Sequence, residues 1–552
     1  MLGFKRGQNL RPENYKNIII LGCIFIVAAL LRLYELGKYA FSYDEAITFM
    51  NGGHKISRLA YLFGSFDLGL LVRHKDFLFF FEDFVYFWRK VFGESEAALR
   101  LTSVIFSLSS LYFLFILAKK VFDRRVAYVA VLLAAISPFS ILYSQELRPY
   151  SAVSFLTLLV IYSLLKFTET VKIRYGIAYV IGNVINIYFH YMALLVLLAC
   201  LLFQIFNIKK YKHIVKEIVV MHLLIAFLLL PLLLTCFANL RYIFHNAIGI
   251  EFSEFPIWAG KITFLQVLFT LKSFSIGYNS EFFSGLGLLS LAVCGLFFSV
   301  GVFKAFSKPK GQLLGVCFFI PIVTLFFLSK FKTCYVDRYL FSIFYFYILF
   351  IAVGLFRIRN RFLFIFFTVI LISFNFYGLR NYYLYYLPKD EKQHIAVSIK
   401  PDIKGLTAAL AANYYNGDRI VNTCKNTIFP LKAYIKHFTS DKGLIEEVNS
   451  GRAIFIKRGE LFAFNYDKNH PDSILPTEYR LFDDLGRINR LWIIFSNFQF
   501  IDFDDYNYDI IEMVERRLSR VEYIKFNGAY LCLFEAREKS ILPLSILNLE
   551  KK

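Results

Sequence analysis

Residues 97–166 read AALRLTSVIFSLSSLYFLFILAKKVFDRRVAYVAVLLAAISPFSILYSQELRPYSAVSFLTLLVIYSLLK. Three apolar runs, 97–118, 126–143 and 150–166, each approach the ~20 residues a helix needs to cross a bilayer. Lys119, Lys120, Arg124 and Arg125 separate the first two runs, a polar stretch from Ser144 to Pro149 separates the next two, and Lys166 closes the third. Charge therefore sits at the ends of the runs. Outward from this stretch the pattern recurs near 17–36, 176–189, 192–208, 218–236, 283–303, 313–329, 339–356 and 362–379, giving about eleven spans. Composition agrees. The 552 residues are 57% hydrophobic and 19% charged, with mean hydropathy +0.54, where a soluble chain carries about 25% charged residues. The expected class is a polytopic α-helical membrane protein.

The 62 basic and 41 acidic residues leave a net charge of +21. In a soluble protein that excess points to nucleic acid; here it falls in loops that orient helices, and no nucleic-acid partner is expected. Lys119–Arg125 follow span two, Lys166, Lys172 and Arg174 span four, and Lys209, Lys210, Lys212 and Lys216 span six. Lys304, Lys308 and Lys310 follow span eight, and Arg357, Arg359 and Arg361 span ten. Every even exit is basic, so the N-terminus is expected in the cytoplasm and the odd exits and the tail outside it. The first run follows Lys5, Arg6 and Arg11 without a small-residue cleavage site, and is expected to stay as a span. The eight cysteines form no CxxC; Cys424 and Cys532 are open to pairing if the tail is extracytoplasmic.

Three outer segments are long. Residues 37–96 carry aromatic runs at 77–81 and 84–88 that suit helices lying in the interface, and 237–282 carries Trp258 as an interfacial anchor. Division into a transmembrane domain, 1–380, and a soluble α/β domain, 381–552, follows from the change in composition. In the latter, strand-like runs at 419–422, 490–496, 521–526 and 529–534 alternate with helix-like ones at 403–412 and 510–518.

Candidate chemistry gathers on the outer loops. Ser42-Tyr43-Asp44-Glu45 reads as a capping box in which Glu45 bonds back to Ser42. That explains Glu45 and leaves Asp44 to face a substrate, with cap and catalyst evenly weighed. In Glu146-Leu147-Arg148-Pro149-Tyr150, Pro149 suits the first position of a helix whose positive end, together with Arg148, makes an anion site. For the motif taken alone, an interfacial Arg148 paired with Glu146 or a lipid phosphate is the favoured explanation. Asp337-Arg338-Tyr339 repeats that geometry before span ten. Arg32 lies near the outer end of span one, where snorkelling or pairing with Glu35 competes with a ligand role. His190 occupies the corner between spans five and six, a position more often structural.

Glu94–Leu101, the Phe122–Ala127 turn and Ser137-Pro138 leading to Ser144–Tyr150 resemble the C-type membrane glycosyltransferases. Within that superfamily the resemblance is to the branch of protein O-mannosyltransferases and lipid A aminoarabinose transferases. Asp44-Glu45, His190-Tyr191 and Arg338-Tyr339 occur in similar order there. The match is strongest over 20–200, looser to 380 and architectural beyond. His74-Lys75-Asp76-Phe77-Leu78 stands where many relatives have His-Pro-Pro-Leu, which removes the prolines that start an interfacial helix.

The resemblance implies a plasma (inner) membrane enzyme that moves a sugar, with inversion, from a polyprenyl-phosphate donor to a lipid, glycan or protein acceptor at the extracytoplasmic face. Asp44 is then the candidate base and Glu146 its catalytic companion. Arg148, Arg338, His190 and Arg32 would hold the donor phosphate, and Glu45, Tyr150 and Tyr339 would contact substrate. A carboxylate in a helix's first turn is held ionised and is a weaker base, so orienting the hydroxyl stands beside proton abstraction. No cofactor is demanded; a divalent cation, if one is used, falls at Asp44. A sugar-lipid flippase would show charges at midspan and an internal repeat, whereas these charges gather at the outer face. A membrane-anchored sensor or scaffold leaves the charged loops unexplained.

Overall fold

The computed structural model describes residues 12–52, 80–234, 262–331, 335–384, 386, 400–457, 460–465, 479–480, 489–496 and 503–536. His74–Leu78 and Trp258 lie outside the described residues. The chain divides into two compact units, residues 1–38 with 51–397, and residues 39–50 with 398–552.

In the first unit the helices start and stop where side chains dictate. Helix α1 spans Pro12–Leu33, and α2, Tyr43–Met50, belongs to the other unit. Helix α3 (Phe81–Phe92) exposes Phe87, Val91 and Phe92. The Ser95 hydroxyl accepts from the Ala98 N–H to open α4 (Glu96–Val121), and the Asp123 carboxylate takes two N–H groups to open α5 (Arg124–Ala135). Ser137-Pro138 then starts a new helix: Ser137 caps α6 (Pro138–Ser144), Pro138 takes its first position, where a missing N–H costs nothing, and α6 departs from α5 by 62°. There follow α7 (Tyr150–Thr170), α8 (Ile173–Phe189), α9 (Ala193–Phe206), α10 (Val215–Leu228), α11 (Phe264–Ile276), α12 (Gly285–Phe306), α13 (Pro309–Phe331), α14 (Phe341–Leu355) and α15 (Arg361–Tyr383). All fifteen residues of α14 are buried, which makes it the central helix. Among the described residues six helices are long and apolar enough to cross a membrane, or seven if the bent α5–α6 pair is one span. The expected eleven includes helices too short to pass that test, and α11 was read as loop.

Helices α12 and α14 touch backbone to backbone. A Cβ at Gly301 would overlap the Phe350 carbonyl, and one at Gly354 the Phe297 carbonyl, whereas one at Gly295 meets nothing within 4 Å. Small residues allow such approach where no hydrophobic force drives helices together. Gly301→Ala is therefore expected to destabilise by about 1–3 kcal/mol, and Gly295→Ala to be neutral or stabilising by up to about 1 kcal/mol. Thermal unfolding in detergent checks the contrast; equal shifts would refute the close packing.

The second unit is a seven-stranded sheet, ordered β4-β3-β2-β1-β5-β7-β6. Its strands are β1 (Arg419–Asn422), β2 (Arg452–Lys457), β3 (Glu460–Asn465), β4 (Tyr479–Arg480), β5 (Arg490–Ser496), β6 (Leu518–Phe526) and β7 (Ala529–Ala536). Strand β1 runs parallel to β2 and β5; the remaining pairs are antiparallel. Alternation along β5 sends Trp492 and Ile494 to a core under α16 (Ile403–Asn413), α17 (Ile428–Phe438) and α18 (Lys442–Ser450). Leu491, Ile493 and Phe495 go to the opposite core, with Ile510 and Val514 of α19 (Phe503–Glu515). The helix expected at 510–518 thus lies earlier, because Leu518 already pairs with Ala536 in the sheet. Cys424 and Cys532 are free thiols. The boundary expected at 380/381 moves as well. Helix α15 continues to Tyr383, and the C-terminal unit begins at Ser398 and takes in residues 39–50.

Candidate active site

Two helices of the first unit begin beside the end of a third. Pro149 caps α7 with φ −68° and ψ −9°, one position earlier than the sequence placed it, and leaves Arg148 in the preceding loop. The Ser103 hydroxyl donates to the Glu146 carbonyl at 2.6 Å and anchors that loop. Asp337–Leu340 forms a short 3-10 helix that leads into α14 and carries Arg338 and Tyr339. His190 ends α8, its N–H bonded to the Asn186 carbonyl.

The aromatic rings bring these three together. The His190 imidazole lies 4.8 Å from the Tyr191 ring, 5.4 Å from Tyr339 and 5.7 Å from Tyr150, between centroids. Tyr150 meets Tyr143 at 5.1 Å, and the Tyr143 and Tyr278 hydroxyls are 3.0 Å apart. Arg148 and Arg338 both act electrostatically on His190. Glu146 and Arg338 both act on Tyr143. Arg148, Arg338, His190, Tyr150, Tyr339 and Glu146, widely separated along the chain, thus share one locus.

Burial, followed by the two guanidinium charges, lowers the His190 pKa to about 3 from its ordinary 6.5. Its Nδ1 accepts from the Met192 N–H at 3.3 Å, which assigns the remaining proton to Nε2. A neutral donor between two cations is suited to an anion. The unfolded chain takes up a proton at His190 as pH falls below about 6.5, and the folded chain does so only near 3. Stability is therefore expected to decline as pH falls through that window and to be unaffected above it. His190→Gln should flatten the corresponding part of a melting-temperature profile between pH 4 and 7; an unchanged slope would show that His190 is not held neutral.

Polar groups that the sequence did not flag back this locus. The Thr270 hydroxyl donates to Asp337 Oδ1 at 2.6 Å and lies 3.1 Å from the Tyr335 hydroxyl. Lys272 is buried, donates to the Ser280 carbonyl and acts on Asp337. Its signal was available: a lone lysine in an apolar helix is expensive and marks a polar partner.

Arg32 departs from expectation. It is fully buried and donates to Ser107 Oγ at 2.9 Å, Ala135 O at 2.8 Å, Ser140 Oγ at 3.0 Å, Ala28 O at 3.1 Å and Ala134 O at 3.4 Å. These acceptors include the carbonyls bared where α5 breaks from α6, so Arg32 clamps the bend. Glu35, its other suggested partner, pairs with Lys38 at 2.6 Å.

Asp44 and Glu45 lie in the second unit, on the first turn of α2. Ser42 N–H donates to Glu45 Oε2 at 2.9 Å, the Glu45 N–H reaches Ser42 Oγ at 3.4 Å, and Lys400 Nζ is 3.1 Å from Glu45 Oε2. Glu45 is fully buried, so its carboxylate serves the cap and the ion pair rather than a substrate. Asp44 is partly exposed. Among the described residues no three His, Cys, Asp or Glu side chains are grouped to hold a metal ion.

Residues 81–235 match the family described as dolichyl-phosphate-mannose-protein mannosyltransferase. No curated protein matches the sequence. In fold the chain is similar to ArnT from Cupriavidus metallidurans in the apo state, with 11% identity, coverage of 94% of this chain and 98% of that one, and a TM-score of 0.53. It is also similar to the Archaeoglobus fulgidus oligosaccharyltransferase tethered to an acceptor peptide (10% identity, 95% and 89% coverage, TM-score 0.51). A third likeness is to AglB of that organism in complex with an inhibitory peptide and a dolichol-phosphate (11% identity, 97% and 76% coverage, TM-score 0.50). The resemblance to C-type glycosyltransferases read from the sequence is shown at the level of fold, in a multi-pass membrane chain.

Proposed function

We propose that this chain is a glycosyltransferase that takes a hexose or pentose from a polyprenyl-phosphate donor and passes it, with inversion, to a lipid, envelope glycan or protein. The reaction is placed at the extracytoplasmic face of the plasma (inner) membrane, the side assigned by the basic loops. The observation that carries the reading is the Arg148–His190–Arg338 locus at the start of two helices, in a fold whose similar proteins include one complexed with dolichol-phosphate. About eleven spans and an extracytoplasmic tail belong to the same proposal.

In the proposed step, Asp44 accepts the proton of the acceptor hydroxyl as its oxygen bonds to the anomeric carbon. The bond from that carbon to the phosphate oxygen breaks, and polyprenyl monophosphate leaves. Arg148 and Arg338 are suited to the phosphate because a guanidinium offers two parallel N–H groups. The starts of α7 and α14 add dipole, and His190 adds an N–H without the repulsion of a third cation. Charge that grows on the leaving phosphate thus meets donors already in place. Tyr150 and Tyr339 wall the locus, and Glu146 orients Arg148 or contacts the sugar.

The test is mass spectrometry of lipid-linked sugars and envelope glycans in a strain lacking the gene, with and without complementation. The expected result is loss of one sugar from its acceptor and accumulation of its carrier-linked form. In reconstituted vesicles, translocation of the sugar-lipid without sugar transfer would instead identify a flippase, and neither activity would leave a scaffold.

A further inference from the structure

The helix that carries Asp44 is held by the C-terminal half of the chain. Phe41 N–H donates to the Tyr434 hydroxyl at 2.8 Å, and the two rings stack at 5.5 Å and 12°. Phe41 also stacks on Phe49, 5.5 Å away, and Tyr43 sets its ring edge-on to Phe429 at 5.3 Å. The same helix carries the Glu45–Lys400 pair, with the Glu45 side chain fully buried and that of Lys400 14% exposed. A helix of eight residues is far too short to hold itself in water. Its orientation must come from what it packs against, and Tyr434, Phe429 and Lys400 all belong to residues 400–434.

We infer that Lys400 is a positioning residue that fixes the angle of the Asp44 helix through Glu45. This rests on the reading of Asp44 as base. The ion pair sits one residue from Asp44, on the next side chain round the helix. Glu45 has two acceptor duties, to the Ser42 N–H and to Lys400, so its rotamer and the first turn of α2 are set together. Remove the ammonium and a buried carboxylate loses a charged partner. It then has to turn towards water, taking the turn that bears Asp44 with it. A base displaced by about 1 Å loses up to about 100-fold in rate.

The test uses the full chain with Lys400→Met, Lys400→Arg and Asp44→Asn. Three quantities are read: amide hydrogen exchange over residues 43–50, affinity for undecaprenyl phosphate, and the amount of glycan product in the complemented strain. Lys400→Met is expected to speed exchange in α2 and cut product formation about 10–100-fold, with affinity for undecaprenyl phosphate unchanged. Lys400→Arg, which keeps the charge, should restore both. The inference is overturned if Lys400→Met leaves exchange over 43–50 at the wild-type rate. It is equally overturned if exchange rises while product is made normally, or if affinity and product fall together as in a misfolded chain. Full product from Asp44→Asn would sink the reading of Asp44 as base, while the exchange measurement would still report on the docking itself.

Discussion

Asp44→Asn is expected to lower sugar transfer by about 10²–10⁴-fold, the usual worth of a well-placed general base, with the chain still folded and inserted. The substitution is isosteric and keeps hydrogen-bonding capacity, and the charge–dipole term it removes from the helix start is about 0.3–1 kcal/mol. The neighbouring carboxylate does not replace it, because Glu45 is buried and engaged by Ser42 and Lys400. Glycan product from the complemented strain, normalised to membrane-inserted protein, gives the answer. Wild-type product from Asp44→Asn would leave the residue as a neighbour of a helix cap and return the flippase and scaffold readings to contention.

Arg148→Ala and Arg338→Ala are each expected to weaken binding of undecaprenyl phosphate by about 10–100-fold, corresponding to the ~1.5–3 kcal/mol of a hydrogen bond to a charged group. Lysine should rescue poorly, since a point charge does not reproduce the planar two-pronged donor. A second consequence follows from the shared locus. Burial, and after it both guanidinium groups, hold the His190 pKa down, so removing either should raise it part of the way. The arginine variants are then expected to show, at the acid end, a pH dependence in binding beyond that which titration of the phosphate itself gives the wild type. Equilibrium binding in detergent between pH 5 and 8 measures both effects. Affinity equal to the wild type in both variants would remove the phosphate from this locus.

Much of the architecture could be read from local signals. The strands at 419–422 and 490–496 coincide with β1 and β5 because a run of β-branched and aromatic residues between polar ends leaves little choice. Asp123 and Ser95 cap helices, as side chains of their type commonly do. What escaped is non-local. Nothing near Arg32 in sequence announces the acceptors on Ser107, Ala135 and Ser140, which the bend supplies from elsewhere. Lys272 was passed over because residues 264–276 sat inside a stretch read as loop. Motif order could flag Arg148, His190 and Arg338 singly; their meeting depends on how α7, α8 and α14 pack. The partnership of α2 with residues 400–434 had no sequence signal at all.

That partnership also bears on how the protein is made. Glu45 and Lys400 are 355 residues apart along the chain. At roughly 5–20 residues per second of translation, the helix bearing Asp44 waits about 20–70 s for its counterpart to emerge. During that interval the membrane helices can insert and pack, but the acidic segment has nothing to dock on. A nascent chain or one cut short before residue 400 would therefore carry its arginines without an ordered carboxylate helix. On the proposed role of Asp44, transfer would have to wait until residues 400–434 have been made.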